Sequence, residues 1–184
     1  MIGASWGGLD AVSRLLDGLH NDVHQPIVIA QHRSAAEESV LAQLLQSHTQ
    51  RVVCETDDKT PLERDHVYLG PPDYHLLVER GHLALSTEAP VQYARPSIDV
   101  LFESVAVAYA ERAVGIVLTG ANADGAAGLA RIKARGGVAI VQDPETSARR
   151  AMPEAALAAT AADAVLPLAE IPAFLYGLCG EVQQ

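Results

Sequence analysis

The sequence predicts an α/β fold: a doubly wound, mostly parallel sheet flanked by helices, with an inserted antiparallel hairpin. Two observations lead to this prediction. In both halves of the chain, short apolar segments alternate with helical ones, a pattern typical of strands buried on both faces between helices. Between the halves, short apolar segments are broken by glycine and proline, which favours antiparallel pairing.

The bulk composition limits the fold and its partners. The chain has 184 residues, and we expect residues 1–184 to form a single domain with one large core. Hydrophobic residues make up 49% and aromatic residues only 4%, so Ala, Leu and Val must fill the interior. A formal net charge of −10, without a cluster of Lys or Arg, argues against nucleic-acid binding and attraction to anionic membranes.

The sequence also predicts a cytoplasmic location. It contains no apolar run long enough to span a bilayer and no signal-peptide pattern. Cys54 and Cys179 are far apart and neither belongs to a C-x-x-C pair, so a disulfide is not expected.

The first half of the chain alternates strands and helices. The first strand has only Met1 and Ile2 before a turn, which favours a strand that begins upstream of this sequence. The predicted elements are a strand at 1–2, a helix over 9–19, a strand at 26–30, a helix over about 36–48 and a strand at 51–55.

The elements in the middle and the second half of the chain are predicted from the same patterns. Apolar segments at 67–69, 74–78 and 82–86 are separated by Gly and Pro turns and predict the inserted hairpin. Ser97 is a plausible N-cap for the next helix. The remaining elements are helices over 97–109, 125–135, 153–160 and 171–178, and strands at 113–118, 138–141 and 164–166.

The first candidate site is the turn after the first strand, Gly3-Ala4-Ser5-Trp6-Gly7-Gly8. A nucleophilic serine must stand clear of the backbone in a tight turn, and glycines on either side permit that turn. The N-terminus of the following helix offers free N–H groups where an oxyanion could bind. The same pattern also fits a glycine-rich strand-to-helix turn in which Ser5 is only a cap.

Three predicted strand ends carry groups that could act together. Open α/β sheets place functional groups at the carboxyl ends of strands, and here these ends carry Ser5, His32 and Asp124. The three offer a nucleophile, a base and a carboxylate that could orient the imidazole. Each also has a purely structural interpretation: a cap for Ser5, a neutral side chain bonded to a loop carbonyl for His32, and a helix cap for Asp124.

Other titratable residues are weaker candidates. Asp99 lies inside a predicted helix and Asp143 precedes a proline in a loop, whereas Asp124 follows the clearest buried strand in a glycine-rich loop. The remaining histidines lack H-x-x-x-H or Cys/His spacing, so neither a metal site nor a cofactor is expected.

Several short motifs, taken in order, resemble those of one known family. They are Ile2-Gly3-Ala4-Ser5-Trp6-Gly7-Gly8, Gln31-His32, Gly70-Pro71-Pro72-Asp73-Tyr74-His75, Arg95-Pro96-Ser97-Ile98-Asp99, Leu118-Thr119-Gly120-Ala121-Asn122-Ala123-Asp124-Gly125, Gln142-Asp143-Pro144-Glu145 and Met152-Pro153. With these segments the chain resembles the catalytic domain of the chemotaxis protein-glutamate methylesterases, the CheB family, and the resemblance covers essentially the whole chain.

The resemblance implies a serine esterase that acts on glutamate γ-methyl esters in the cytoplasmic methylation helices of chemoreceptors. Ser5 would attack the ester, His32 would take its proton and later activate water, and Asp124 would orient His32. The backbone N–H groups of Trp6 and Ala121 would hold the oxyanion. Some relatives also deamidate glutamine, and no metal or cofactor is needed. A receiver domain often precedes this fold. Two alternatives follow: the full-length protein carries a receiver domain upstream, or it is a stand-alone member that could meet a receiver domain in trans.

The sequence departs from the family pattern near the expected site. Trp6 stands where many relatives carry a smaller residue, and Ala121 and Asn122 replace a methionine and a glycine. Ala121 would remove an apolar wall of the cleft, and Asn122 could supply the left-handed backbone that glycine adopts easily.

Two alternatives to the esterase remain open at this point. The substitutions at Trp6 and Ala121 motivate a docking module of low or no activity in a signalling complex. A nucleotide-binding turn of the Rossmann type is disfavoured, because the glycine placement departs from G-x-G-x-x-G and His32 stands where an acidic residue is required.

Overall fold

The structure is a computed structural model that describes residues 1–33 and 40–181. These residues form nine strands and six α-helices. In chain order they are β1 (Ile2–Ala4), α1 (Gly8–Gly18), β2 (Ile27–Gln31), α2 (Leu41–Gln46), β3 (Val52–Glu55), β4 (His66–Leu69), β5 (His75–Glu79), β6 (His82–Ser86), α3 (Ile98–Tyr109), β7 (Val114–Val117), α4 (Ala126–Ala134), β8 (Val138–Gln142), α5 (Ala151–Ala159), β9 (Ala164–Leu166) and α6 (Ile171–Glu181).

Seven strands form one parallel sheet in the order β3-β4-β2-β1-β7-β8-β9, while β5 and β6 pair as a separate antiparallel hairpin. The predicted fold class is therefore confirmed. The prediction that the apolar segment at 67–69 belongs to the hairpin was wrong: this segment is part of β4 and pairs in parallel with β2 and β3. Its residues from Val67 to Leu69 are buried, as expected of a strand covered on both faces.

The apolar run in β2 shows how the sheet builds its core. Val28 and Ala30 pack on one face of the sheet, against residues of α3, α4 and the hairpin. Ile27 and Ile29 pack on the other face, with residues of α1 and the start of α6. Because side chains alternate across a strand, a strand buried on both faces must be apolar throughout, which is what its sequence shows.

The order of the strands positions the candidate site. β1 pairs with β2 on one side and with β7 on the other, all in parallel. The first half of the chain extends the sheet beyond β2, and the second half extends it beyond β7. The carboxyl ends of β2, β1 and β7 therefore lie together at the point where the winding reverses, which is where open α/β sheets form their sites.

Helix boundaries agree with the prediction less closely than strands do. The first four residues of the helix predicted over 36–48 fall within residues 34–39, which lie outside the described residues; α2 begins at Leu41. α3 begins one residue after Ser97, whose side chain accepts the N–H of Val100 at 3.5 Å and so caps the helix as predicted. In residues 1–33 and 40–181, no helix is both long and apolar enough to cross a membrane. Cys54 and Cys179 are free thiols.

Candidate active site

The turn after β1 holds Ser5 between its two neighbouring strands. The backbone N–H of Ser5 donates to Thr119 O at 3.0 Å, beyond the end of β7. The carbonyl of Ser5 accepts the N–H of Gly8 at 2.8 Å and the side-chain amide of Gln31, at the end of β2, at 2.9 Å. Gly7 has a φ of 77°, a left-handed conformation that glycine adopts at little cost. These bonds make the short turn that was predicted from the glycine pattern.

His32 lies at the carboxyl end of β2 and is tied to the same turn. Its backbone N–H donates to Ala4 O at 3.1 Å, which extends the β1–β2 ladder by one bond. The amide of Gln31 that reaches Ser5 also donates to the carbonyl of His32, at 3.1 Å. The imidazole is 14% exposed, and its Nε2 lies 2.7 Å from Oδ2 of Asp124.

Asp124 is fully buried and receives four hydrogen-bond donors. Its Oδ1 accepts from the hydroxyl of Ser97 at 2.8 Å and the N–H of Asp99 at 2.9 Å. Its Oδ2 accepts from the N–H of Ile98 at 2.7 Å and from Nε2 of His32. Three of these donors belong to the start of α3, where the helix dipole also favours a negative charge.

The pKa of Asp124 reflects a balance that favours the carboxylate. Burial opposes ionisation of this group, but the hydrogen bond with His32 and those from the start of α3 outweigh it. The pKa of Asp124 therefore lies below its ordinary value. The neighbouring imidazole thus faces a carboxylate that is negatively charged at neutral pH.

Asp99, the first alternative to Asp124 as the orienting carboxylate, hydrogen-bonds the start of α4 instead of His32. Its Oδ1 accepts the N–H groups of Gly125 at 2.9 Å and Gly128 at 2.7 Å, which braces the start of α4. Its Oδ2 accepts the side-chain amide of Gln92 at 2.8 Å. Burial, followed by the charge of Asp124, raises the pKa of Asp99 despite these bonds. Asp143, the second rival, caps a short 3-10 turn by accepting the N–H of Glu145 at 2.9 Å.

The structure thus brings His32 and Asp124 into direct contact and places Ser5 one strand away. Gln31 bridges the backbones of Ser5 and His32. Among the described residues, no hydrogen bond joins the hydroxyl of Ser5 to the imidazole.

Two residues, His75 and Ser97, support the site in ways that were not predicted from the sequence. His75 is buried; its Nδ1 accepts the N–H of Ser97 at 3.2 Å and its Nε2 donates to Ala89 O at 3.1 Å. Ser97 was assigned only a capping role, yet its hydroxyl also donates to Asp124. The contacts of Ser97 with His75 and with Asp124 span 22 and 27 residues, and no local pattern in the sequence indicates them.

The backbone N–H groups of Trp6 and Ala121 are those expected to hold an oxyanion. In the part of the chain that the structure describes, the N–H groups of Trp6 and Ala121 have no hydrogen-bond acceptor. Both residues line an open groove together with Arg149, Arg150 and Ala151. Trp6 is 64% exposed, and the guanidinium carbon of Arg149 lies 5.5 Å from the centre of its indole ring.

Asn122 does not have the left-handed backbone that its replacement of glycine suggested. Its side chain is used instead: Oδ1 accepts the N–H of Asp124 at 3.2 Å, and Nδ2 lies 3.3 Å from Nδ1 of His32. Within residues 1–33 and 40–181, no group of three or more His, Cys, Asp or Glu side chains is placed to hold a metal ion.

The fold and this edge of the sheet define a doubly wound α/β protein with a serine turn beside a histidine–aspartate pair. The family model described as CheB methylesterase matches residues 1–175. The chain belongs to the CheB methylesterase family. The crystal structure of the Thermotoga maritima CheB methylesterase catalytic domain superposes with a TM-score of 0.92 at 30% identity, over 96% of each chain.

Similar proteins carry consistent names. A Leptospira interrogans protein, provisionally named protein-glutamate methylesterase/protein-glutamine glutaminase, is 41% identical over 172 residues, which are 93% of this chain and 89% of that protein. A Hahella chejuensis protein-glutamate methylesterase/protein-glutamine glutaminase is 44% identical over 94% of this chain. The match covers only 48% of the Hahella protein, so this chain spans about half of its length.

Proposed function

We propose that this protein is a protein-glutamate methylesterase that hydrolyses glutamate γ-methyl esters on the cytoplasmic helices of chemoreceptors. The single observation that carries the proposal is the 2.7 Å bond between His32 Nε2 and Asp124 Oδ2, beside the turn that presents Ser5. The names of the relatives supply the ester class and a second reaction, deamidation of glutamine side chains. The physiological setting is chemotaxis or related signal transduction.

In the proposed acylation, Ser5 Oγ attacks the ester carbonyl while its proton passes to Nδ1 of His32. This nitrogen is the base because Nε2 faces Asp124. The assignment is the reverse of the familiar serine-protease arrangement, in which Nδ1 faces the aspartate, but the chemistry needs only one nitrogen on each side. The carbonyl electrons move onto oxygen, where the N–H groups of Trp6 and Ala121 hold the charge.

Collapse of the tetrahedral intermediate expels methoxide, which takes the proton from Nδ1 and leaves as methanol. Water then attacks the acyl-enzyme while one of its protons passes to Nδ1 of His32. The bond from Ser5 Oγ to the acyl carbon breaks, Oγ takes the proton back from Nδ1, and the product acid leaves and ionises. The lowered pKa of Asp124 keeps this residue ionised, so it stabilises the imidazolium formed in both steps. The chemistry requires no metal or cofactor.

A protein substrate and a cytoplasmic location complete the proposal. Exposed apolar side chains surround the site, with Trp6 64% and Leu9 40% exposed, and such side chains can pack against a helix.

We infer that residues 1–184 act as one catalytic domain, because a single sheet joins strands from both halves of the chain. Access to Ser5 would be controlled by a receiver domain in the same protein or in trans.

The test is methanol release from a methylated chemoreceptor fragment by the parent protein and by Ser5→Ala. We expect release by the parent and a loss of at least about 10³-fold in the variant, since removing the nucleophile leaves only oxyanion binding. Ser86→Ala, in β6, is the matched control and should retain full activity. Absence of release from the folded parent would instead favour the docking module, to which the exposed Trp6 would then belong.

A further inference from the structure

Asn122 contacts both members of the His32–Asp124 pair. Its Oδ1 lies 3.2 Å from the backbone N of Asp124, and its Nδ2 lies 3.3 Å from Nδ1 of His32. The residue is half-buried, next to the exposed Ala121 and Ala123.

The first contact determines how the amide of Asn122 is turned. A backbone N–H can donate only to an acceptor, so the atom facing Asp124 N must be the carbonyl oxygen. The NH₂ group of Asn122 must then face His32. The hydrogen-bond pattern thus assigns the amide orientation that heavy-atom positions alone leave open.

The second contact determines where the imidazole carries its proton. The NH₂ group of Asn122 has only donors, so Nδ1 of His32 must accept and carries a lone pair. The proton of the neutral ring then lies on Nε2 and is donated to Asp124 at 2.7 Å. Both neighbours of His32 favour the same tautomer, which is the one that can take a proton from Ser5.

The same contact also uses the lone pair of His32 Nδ1, which must accept the proton of Ser5 in the proposed acylation. Nδ1 has a single lone pair, and Asn122 holds it in this structure. When the proton of Ser5 moves to Nδ1 as the bond from Oγ to the substrate forms, the imidazolium presents N–H to the NH₂ of Asn122. Two donors then face each other, so Asn122 must withdraw before or during this step.

We propose that Asn122 is a positioning residue that holds His32 as its Nε2–H tautomer in the free enzyme and caps Nδ1 until Ser5 displaces it. This inference rests on the proposed function, in which His32 Nδ1 is the base. Because Ser5 must first displace this hydrogen bond, Asn122 slows the transfer of the Ser5 proton to His32. It also keeps His32 in a single tautomer before the substrate binds.

Two variants separate this role from simple bracing of the loop. Asn122→Ser retains an oxygen that can accept the N–H of Asp124 but cannot reach His32 with a donor. Asn122→Asp retains the acceptor for Asp124 and turns a carboxylate oxygen toward Nδ1, which favours a proton there. A residue that only braced the loop would tolerate both substitutions equally.

The readout is the rate at which a fluorophosphonate labels Ser5, because this reaction needs the base but not the methylated substrate. Oγ bonds to phosphorus, fluoride leaves, and the hydroxyl proton passes to Nδ1. We expect Asn122→Ser to label about 3- to 10-fold faster than the parent, the equivalent of one neutral hydrogen bond, and Asn122→Asp to label at least about 10-fold more slowly. Equal rates, or changes in the same direction, would overturn the proposal.

Nitrogen NMR of the His32 ring gives a second readout that does not depend on activity. The parent should show an unprotonated Nδ1 and a protonated Nε2, and Asn122→Asp should move a proton to Nδ1. A protonated Nδ1 in the neutral ring of the parent would contradict the proposal. Labelling of Ser5→Ala at the parental rate would instead count against the proposed function, and the NMR spectra would still decide the role of Asn122.

Discussion

His32 bonds Asp124 through Nε2, at 2.7 Å, and this leaves Nδ1 as the only ring nitrogen available to Ser5. The carboxylate of Asp124 is in turn held by the first residues of α3, which lie more than twenty positions earlier in the chain. The base, its orienting group and the helix that holds that group therefore form one connected unit.

Asp124→Asn should abolish most of the activity. An asparagine NH₂ turned toward His32 would also face the N–H of Ile98, and one turned away would face the N–H of Asp99, so neither orientation reproduces the contacts of the carboxylate. The neutral amide also supplies no charge to stabilise the imidazolium. We expect kcat for methanol release to fall about 10³- to 10⁴-fold, as for the equivalent change in a serine-protease triad. Unchanged kcat in a correctly folded variant would show that Asp124 does not orient the base.

The same substitution should alter the acid stability of the protein. Because the pKa of Asp124 is lowered in the folded state, its carboxylate stabilises the fold fully above the unfolded pKa of about 3.9. This contribution is lost as the pH falls through the lower folded value. In urea unfolding at a series of acidic pH values, Asp124→Asn should show a smaller loss of stability on acidification than the parent. An identical slope in both proteins would contradict the lowered pKa.

Asp99 should be replaceable by asparagine but not by alanine. Alanine leaves the N–H groups of Gly125 and Gly128 without their acceptor, which costs about 1–3 kcal/mol for each group that stays buried and unpaired. Asparagine keeps an oxygen at this position and removes the ionisable group.

The raised pKa of Asp99 determines how its contribution to stability changes with pH. Because the pKa of Asp99 is raised in the folded state, its stabilising contribution is present below about pH 3.9 and is lost as the pH rises through the folded value. Asp99→Asn should not show this loss and should be at least as stable as the parent at neutral pH. Urea unfolding measures both variants; a neutral-pH stability of Asp99→Asn as low as that of Asp99→Ala would disprove the argument.

Arg149 and Arg150 allow a matched test of substrate binding in the groove beside Ser5. Arg150 is ion-paired with Glu145 and Glu154, whereas the guanidinium of Arg149 has no acidic partner among the described residues and lies over Trp6. An unpaired cation at this position can bind carboxylates that flank the ester in an acidic receptor helix.

We therefore expect Arg149→Gln to raise KM for a methylated receptor fragment about 3- to 10-fold with little change in kcat, as for one charge-assisted contact at an exposed site. Arg150→Gln should leave KM near the parental value. Steady-state kinetics at low and moderate salt check both, since the effect of Arg149 should shrink as salt is added. An equal effect of the two variants would mean that general charge, and not the groove, is responsible.

The sequence by itself determined the fold class, most of the strands and the candidate residues that follow three of them, while the segment at 67–69 was wrongly grouped with the hairpin. Buried parallel strands must be apolar on both faces, so β2 and β7 stand out as continuous apolar runs. The serine turn is equally local, because its glycines lie within a few residues of Ser5. Because the strands are predicted to be parallel, the residues that follow the first two strands, Ser5 and His32, are expected at the same edge of the sheet.

Only the tertiary structure decided how these groups are held. The contact between His32 and Asp124 spans 92 residues, and the bonds that Ile98 and Asp99 donate to Asp124 span 26 and 25. Side chains this far apart approach because α3 packs against β1, β2 and α4, with Ile98 of its first turn next to Gly3 and Gly125, a result of core packing that no local pattern encodes. The choice of Nε2 over Nδ1, the bracing role of Asp99 and the contact of Asn122 with His32 all follow from that packing.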